Sequence, residues 1–170
     1  MIEIDFRTDL LPLKDKVFRL ALRITASRDE AEDITQDVLL RVWERRGEMP
    51  AVASLEAYVL TAAHNTALDR LRRSESRNIT LEEQHDTTPD ATPTADERME
   101  HDERLRRVHD IFARLPERQR TVMQLRDIEG KTTRETADIT GLTEENVKVT
   151  LLRARRAVRE QYEKIENYGL

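Results

Sequence analysis

The residues best equipped for chemistry lie in TTRETADITGLTEENVKVTLLRARRAVRE, positions 132–160. Glu144, Glu145, Asn146 and Lys148 are of the types that hydrogen-bond base edges, while Arg153, Arg155, Arg156 and Arg159 can meet phosphates, which give affinity without reading sequence. A second set falls in YVLTAAHNTALDRLRR, positions 58–73, where Tyr58, His64, Asn65, Arg70, Arg72 and Arg73 lie on or near one helix. Aromatic and amide groups beside a basic run suit unpaired bases and a single-strand backbone. Each set also has a plainer reading. The C-terminal arginines can form i,i+4 pairs such as Arg156–Glu160 on a solvated face, and a basic helix end satisfies the helix dipole. The acidic run DEAED at 29–33 could be taken for metal ligands, but acidic residues in a first helical turn offset the positive end of that dipole. Catalysis finds no support: the chain has no Gly-rich phosphate loop, no H-E-x-x-H and no nucleophile elbow. No cofactor is implied. The absence of cysteine excludes disulfides and thiolate metal sites, and four histidines without paired spacing argue against other metals.

The elements that must carry these residues are helical. Thr132 and Glu135 have the capping-box spacing, Gly141 marks a turn, and Thr143 can cap a longer helix facing inward through Val147, Leu151, Ala154 and Val158. A short helix, a Gly turn and a long basic helix are the layout of a helix-turn-helix. Upstream, a helix from about Asp96 to Arg114 is expected to bury Leu105, Val108 and Phe112, and Pro116 suits the first position of a helix carrying Val122, Met123 and Leu125 and ending at Gly130. In the N-terminal part, Phe6, Leu10, Leu13, Val17, Leu20 and Ile24 recur at helical spacing. Ser27 and Glu30 open a second helix with a capping box and a stripe of Ala31, Ile34, Val38 and Val42, ending near Trp43. Arg46 to Ser54 reads as a loop. Ser54 then caps a third helix with Leu55, Tyr58, Ala62, Leu68 and Leu71 as its apolar stripe.

With 37% charged residues and four glycines in 170, the composition suits amphipathic helices rather than a sandwich or barrel. The net charge of −5 is unevenly placed. Residues 74–103 hold 2 Lys/Arg against 10 Asp/Glu, whereas 104–170 hold 15 against 11. A low overall charge therefore does not oppose a nucleic-acid partner. TTPDATPTAD, inside the acidic stretch, cannot bury enough surface to offset its ordering. The expectation is an all-α chain of two small domains, 1–73 and 104–170, joined by a flexible acidic linker over 74–103, the C-terminal domain containing the helix-turn-helix. The first thirty residues carry acids and arginines without a long apolar run, so neither a signal peptide nor membrane insertion is expected, and a cytoplasmic location follows.

Three segments in this order resemble the extracytoplasmic-function group of bacterial RNA polymerase sigma factors. AEDITQDVLLRVWE is similar to their polymerase-binding helix, YVLTAAHNTALDRLRR to the promoter-melting helix, and LPERQRTVMQLRDIEGKTTRETADITGLTEENVKVTLLRARRAV to their C-terminal helix-turn-helix domain. The resemblance implies that Asp33, Gln36, Asp37 and Arg41 dock on the clamp helices of the largest subunit of core RNA polymerase. It implies that the Arg46–Ser54 loop captures a flipped base of the −10 element, and that Tyr58, Asn65, Asp69, Arg70 and Arg73 face that element as single-stranded DNA. Asn146, Lys148, Arg153 and Arg155 would face duplex DNA at the −35 element. A sigma factor is not itself an enzyme. The resemblance also implies an anti-sigma factor as partner, which could hold the chain at the membrane. The sequence departs from the family at Thr133 and Thr136, where apolar residues are usual, so the first helix of the motif is expected to pack less tightly. It departs again at Val149 and Thr150, which replace a Ser-Arg pair, and at His64, where arginine is frequent.

Overall fold

The computed structural model describes residues 3–48, 54–78 and 96–168. Among these, all regular structure is helical. The chain begins with a π turn, Phe6–Leu10, and a 3-10 turn, Leu11–Leu13, and continues as α1 (Lys14–Thr25), α2 (Arg28–Glu44) and α3 (Leu55–Asn78). The expected first helix is thus divided. Pro12 sits at the start of the 3-10 turn and supplies no backbone donor, and regular α-helix begins at Lys14. Its face nevertheless survives the division: Leu10, Val17, Leu20 and Ile24 are fully buried, with Phe6 and Leu13 packed beside them. Helix α1 ends at Ala26, which adopts φ 55° and returns its N–H to Leu22 O at 2.8 Å. Left-handed backbone in a residue with a Cβ costs about 1 kcal/mol, and the chain turns there directly into the Ser27 cap of α2. Only half of the expected capping box forms. Ser27 Oγ accepts from Glu30 N–H at 3.3 Å, but the Glu30 carboxylate instead accepts from Arg70, at 3.2 Å.

The stripe of α2 is buried as its spacing requires, through Ala31, Ile34, Val38 and Val42. Helix α3 is not as its spacing suggests. Val59, Leu60, Ala63, His64 and Ala67 are buried, while Leu55, Ala62, Leu68 and Leu71 are only partly covered and Tyr58 is 37% exposed. The reason is that α3 packs on two sides, against α1 and α2 and also against the C-terminal half, so no single 3.6-residue stripe describes it.

The C-terminal half comprises α4 (Asp96–Arg114), α5 (Glu117–Met123) followed by a π turn (Gln124–Ile128), α6 (Thr133–Thr140) and α7 (Glu144–Tyr168). In α4, Ile111 and Phe112 are buried but Leu105, expected inside, is 44% exposed. Pro116 lies one position earlier than expected: its ψ of 145° is extended, so it caps α5 rather than entering it. After the π turn, Gly130 takes φ 70° and Lys131 N–H reaches back to Leu125 O at 2.8 Å. The linker region between Asn78 and Asp96 and the loop residues 49–53 lie outside the described residues.

The two halves are packed together. Leu125 and Ile139 of the second half are buried within the apolar cluster of the first, while Phe112, Val122, Ala137, Val147, Leu151 and Ala154 form a separate cluster. Arg120 ties the halves through the open end of α1, donating to Arg23 O at 2.8 Å and Ile24 O at 2.9 Å, and also to Leu115 O of its own half at 2.7 Å.

Thr136 is fully buried on α6 between Ile139 and Ala137, and its hydroxyl has no hydrogen-bond partner. Buried, unpaired polar groups cost about 1–3 kcal/mol. Thr136→Val, which keeps the shape and removes the hydroxyl, is therefore expected to stabilise the chain by about 1 kcal/mol, read as a raised denaturant midpoint with unchanged slope.

Candidate nucleic-acid interface

The C-terminal hairpin is held by caps at both helix starts. Glu135 N–H donates to Thr132 Oγ1 at 3.1 Å, and Thr132 N–H donates to the Glu135 carboxylate at 3.0 Å. That backbone bond is the first cause of the Glu135 carboxyl lying below its ordinary range. Gly141 closes α6 at φ 78°, and Thr143 Oγ1 accepts from Asn146 N–H at 3.1 Å to start α7. With Val147, Leu151 and Ala154 turned inward, Glu145, Asn146, Lys148, Val149, Leu152, Arg153 and Arg156 are exposed. At 100° per residue the centre of the outward face is Glu145, Val149, Leu152 and Arg156, with Asn146 and Arg153 on one flank and Lys148 on the other. Leu152, 60% exposed, is the residue that reading for polar groups misses. Its signal is present in the sequence: it stands opposite Ala154 and Val147 on the helical wheel. Arg155 is differently placed. Its Nε donates to Asp127 Oδ2 at 3.0 Å and its Nη2 to Asp127 Oδ1, which raises the pKa of the guanidinium.

On α3, the structure brings Tyr58, Asn65, Asp69 and Arg73 to one outward face, all exposed, with Arg73 Nη2 and Asp69 Oδ2 paired at 3.2 Å. Arg70 is turned away from it toward α2. There its guanidinium meets Glu30 at 3.2 Å and, more closely, Asp33 and Asp37. The bond to Asp33 is the chief reason its pKa is raised. Gln36 and Arg41 stand exposed on the same helix, α2. His64 is buried, 5% exposed, beside a cleft of about 260 Å³ whose lining includes Arg72, Glu117 and Arg118.

The helices that carry these faces match known proteins. Residues 12–77 match the family model for sigma-70 region 2, and residues 105–158 match that for sigma-70 region 4. The extracytoplasmic-function (ECF) RNA polymerase sigma factor SigL of Mycobacterium tuberculosis is 33% identical over 144 residues, covering 84% of this chain and 80% of SigL. The corresponding SigK of Mycolicibacterium vanbaalenii is 35% identical over 127 residues, 72% of this chain and 64% of SigK.

The chain is an ECF sigma factor. A solved structure of the sigma factor RpoE from Bartonella quintana, in complex with the anti-sigma factor NepR, shares the fold at a TM-score of 0.75 and 21% identity, over 94% of this chain and 97% of that one. As a sigma factor the chain is a non-catalytic subunit that binds core RNA polymerase and promoter DNA and directs promoter-specific initiation of transcription. Among the described residues no helix is long and apolar enough to cross a membrane.

In this sigma factor the Arg70 network joins two surfaces that the sequence treats separately, since Asp33 and Asp37 are polymerase-facing candidates and Arg70 a promoter-facing one. A planar guanidinium holds five N–H donors in a fixed fork, a geometry that the compact ammonium of lysine does not reproduce across three carboxylates. Arg70→Ala is expected to lower affinity for core polymerase by about fivefold with helicity retained, and Arg70→Lys should not restore it, both read by titration of labelled core enzyme.

His64 supplies a pH dependence. Burial is the main cause that pushes its imidazole below the ordinary value of 6.5, reinforced by Arg72 and opposed by Asn65 and by Glu117. The fold therefore holds the neutral form. Its stability is complete above the ordinary imidazole range and falls as pH drops below it, because the unfolded chain takes up the proton first. The melting temperature should drop between pH 7.5 and 5.5, and the drop should be smaller in His64→Gln.

Proposed function

We propose that this sigma factor docks on the clamp helices of the polymerase largest subunit through α2, with Asp33, Gln36, Asp37 and Arg41. The outward face of α3, Tyr58, Asn65, Asp69 and Arg73 with Arg70 at its edge, together with the Arg46–Ser54 loop, captures the melted −10 strand. The −35 duplex is read by α7 through Asn146, Lys148 and Arg153, with Arg155 at the backbone. Residues 1–73 and 104–170 act as the two grips, and 74–103 as the acidic tether between them. The observation that carries the reading is that Asp33, Gln36, Arg41, Tyr58, Asn65, Asp69, Arg73, Asn146, Lys148 and Arg153 are all exposed on helix surfaces, in both halves. Capturing an unpaired base must offset a few kcal/mol of unstacking. A chain without a nucleotide site does this by binding alone. Linking two modest contacts raises the effective concentration of the second.

An anti-sigma factor is a further partner in this reading, on the analogy of the RpoE–NepR complex. The chain would act in the cytoplasm, and a membrane-bound anti-sigma factor would retain it there at the membrane.

Val149 and Leu152 give the −35 face an apolar centre in place of a polar one. Apolar side chains in the major groove contact the thymine methyl group. The test begins with promoter fragments selected from a random pool by core polymerase plus this chain. Selection of no common sequence, or no transcript from the selected fragments, overturns the proposal. Lys148→Ala and Arg153→Ala should each weaken binding to the −35 duplex by about 1–3 kcal/mol if they hold bases. Unchanged affinity for both at moderate salt would move the reading face elsewhere. Replacing single thymines by uracil should weaken wild-type binding at one −35 position and leave Val149→Ala indifferent there.

A further inference from the structure

We propose that a cleft on the seam between the two halves is a binding site for a small phosphorylated metabolite that also carries hydroxyl groups, held by Arg72 and His64 of α3 and by Arg118 and Glu117 of α5. None of these four residues is among the polymerase or promoter contacts proposed above, so the site stands or falls apart from that reading.

Helical repeats on two elements build the cleft. His64, Leu68 and Arg72 stand four residues apart on α3 and so lie one above another on a single stripe. Glu117 and Thr121, also four apart, line it from α5 together with Arg118, and Gly141 and Leu142, between α6 and α7, complete the wall. The space is about 260 Å³. At about 30 Å³ for each water-sized group, it admits on the order of nine non-hydrogen atoms. A nucleotide is too large for it, and inorganic phosphate leaves much of it unfilled.

The polar groups of the cleft are not used up by the fold. Arg72 and Arg118 are exposed, and neither is paired with a carboxylate among the described residues. Two guanidiniums with their donors unengaged suit the oxygens of a phosphate. His64 is 5% exposed, its Nδ1 lies 3.4 Å from Asn65 Oδ1, and its Nε2 has no hydrogen-bond partner among the described residues. Buried polar atoms are paired as a rule, so a ring nitrogen left over beside a cleft is suited to a ligand. Glu117 sets a second requirement. Its Oε1 accepts from Thr121 Oγ1 at 2.9 Å, and Oε2 has no such donor among the described residues. This carboxylate repels a bare anion but accepts from a hydroxyl. A phosphate and a hydroxyl on one short carbon chain satisfy both the cations and the acid.

His64 reports the occupant. Burial is the first cause that holds its imidazole below the ordinary value, and Arg72 adds to this while Asn65 and Glu117 oppose it. The charged groups around the ring are Arg72 on its own helix and Glu117 and Arg118 on α5, whereas Thr140, Gly141 and Leu142 on the remaining wall carry no charge. A bound phosphate sets negative charge beside the ring and favours its protonated form, in which both nitrogens donate.

The test uses the full chain and titration calorimetry, with glycerol 3-phosphate as the probe and inorganic phosphate and glycerol as separate arms. Glycerol 3-phosphate should bind, inorganic phosphate should bind about tenfold more weakly, and glycerol should give no heat. Arg72→Ala and Arg118→Ala should each weaken glycerol 3-phosphate by about tenfold or more. Both side chains are exposed, so helicity by circular dichroism should be unchanged in either variant. In NMR spectra, the imidazole signal that His64→Gln removes should titrate at higher pH with the probe bound. No binding of glycerol 3-phosphate at about millimolar concentration overturns the site. So does equal affinity for inorganic phosphate, or undiminished affinity in either arginine variant. A His64 titration that does not move places the probe elsewhere and overturns it as well.

Discussion

Leu125 and Ile139 belong by sequence to the second half and by burial to the first, and most of this structure depends on that exchange. A chain with 37% charged residues, divided into helices of which two are only seven and eight residues long, has little apolar surface for two independent cores. Short helices such as α5 and α6 are marginal on their own and are held by burying a face. Lending Leu125 and Ile139 to the N-terminal cluster gives α6 a second packed face, against α3 as well as α7. Thr136 is the mark of that position. It is enclosed on both sides, so its hydroxyl is cut off from water without gaining a partner.

The exchange also explains why polar groups are concentrated at the seam. Where α1 ends, its last carbonyls have no partner within the helix. Ala26 at φ 55° satisfies one of these, Leu22 O, and Arg120 from the other half takes Arg23 O and Ile24 O. A helix terminus completed by the other half makes the stability of α1 and the position of the second half a single quantity. Glu129 works in the same way at the rim. Burial pushes its carboxyl up, but Arg19, then Gln124 and Lys16, more than reverse this, and it remains charged well into the acid range.

Much of the fold was legible because caps are local. Thr132 with Glu135, Thr143 before Asn146, and Ser54 before Ala57 are contacts across three residues, and each forms as its spacing suggests. The stripes of α2 and α7 were legible because each buries one face. What failed was what depends on a second neighbour. Tyr58, Leu68 and Leu71 read as the inside of α3 until α6 is seen to cover its other side, where His64 is the buried residue. Glu30 fits a capping box, yet its carboxylate goes to Arg70, forty residues away, because a charged guanidinium is a stronger donor than one neutral backbone N–H. At the candidate interface, spacing placed the candidate residues on helices that form, but did not give their facing. No periodicity could place Arg70 against α2 or bind Arg155 to Asp127.

Those last pairings bear on how a chain of net charge −5 handles DNA. Of the arginines proposed as promoter contacts, Arg70, Arg73 and Arg155 are already engaged by carboxylates, whereas Lys148 and Arg153 have no such partner among the described residues. Exposed ion pairs are worth little, about 0–1 kcal/mol each, so a phosphate can displace the carboxylate cheaply. It still gains less from a paired arginine than from a bare one, and the displaced acid then repels the backbone. If these residues meet DNA as proposed, non-specific affinity, which rises with each phosphate neutralised, is thereby held down, while contacts that read base edges are not discounted. On the reading proposed above, with its internal acids acting as stand-ins for phosphate, the chain would favour sites where Asn146, Lys148, Val149 and Arg153 all find partners over duplex that offers charge alone.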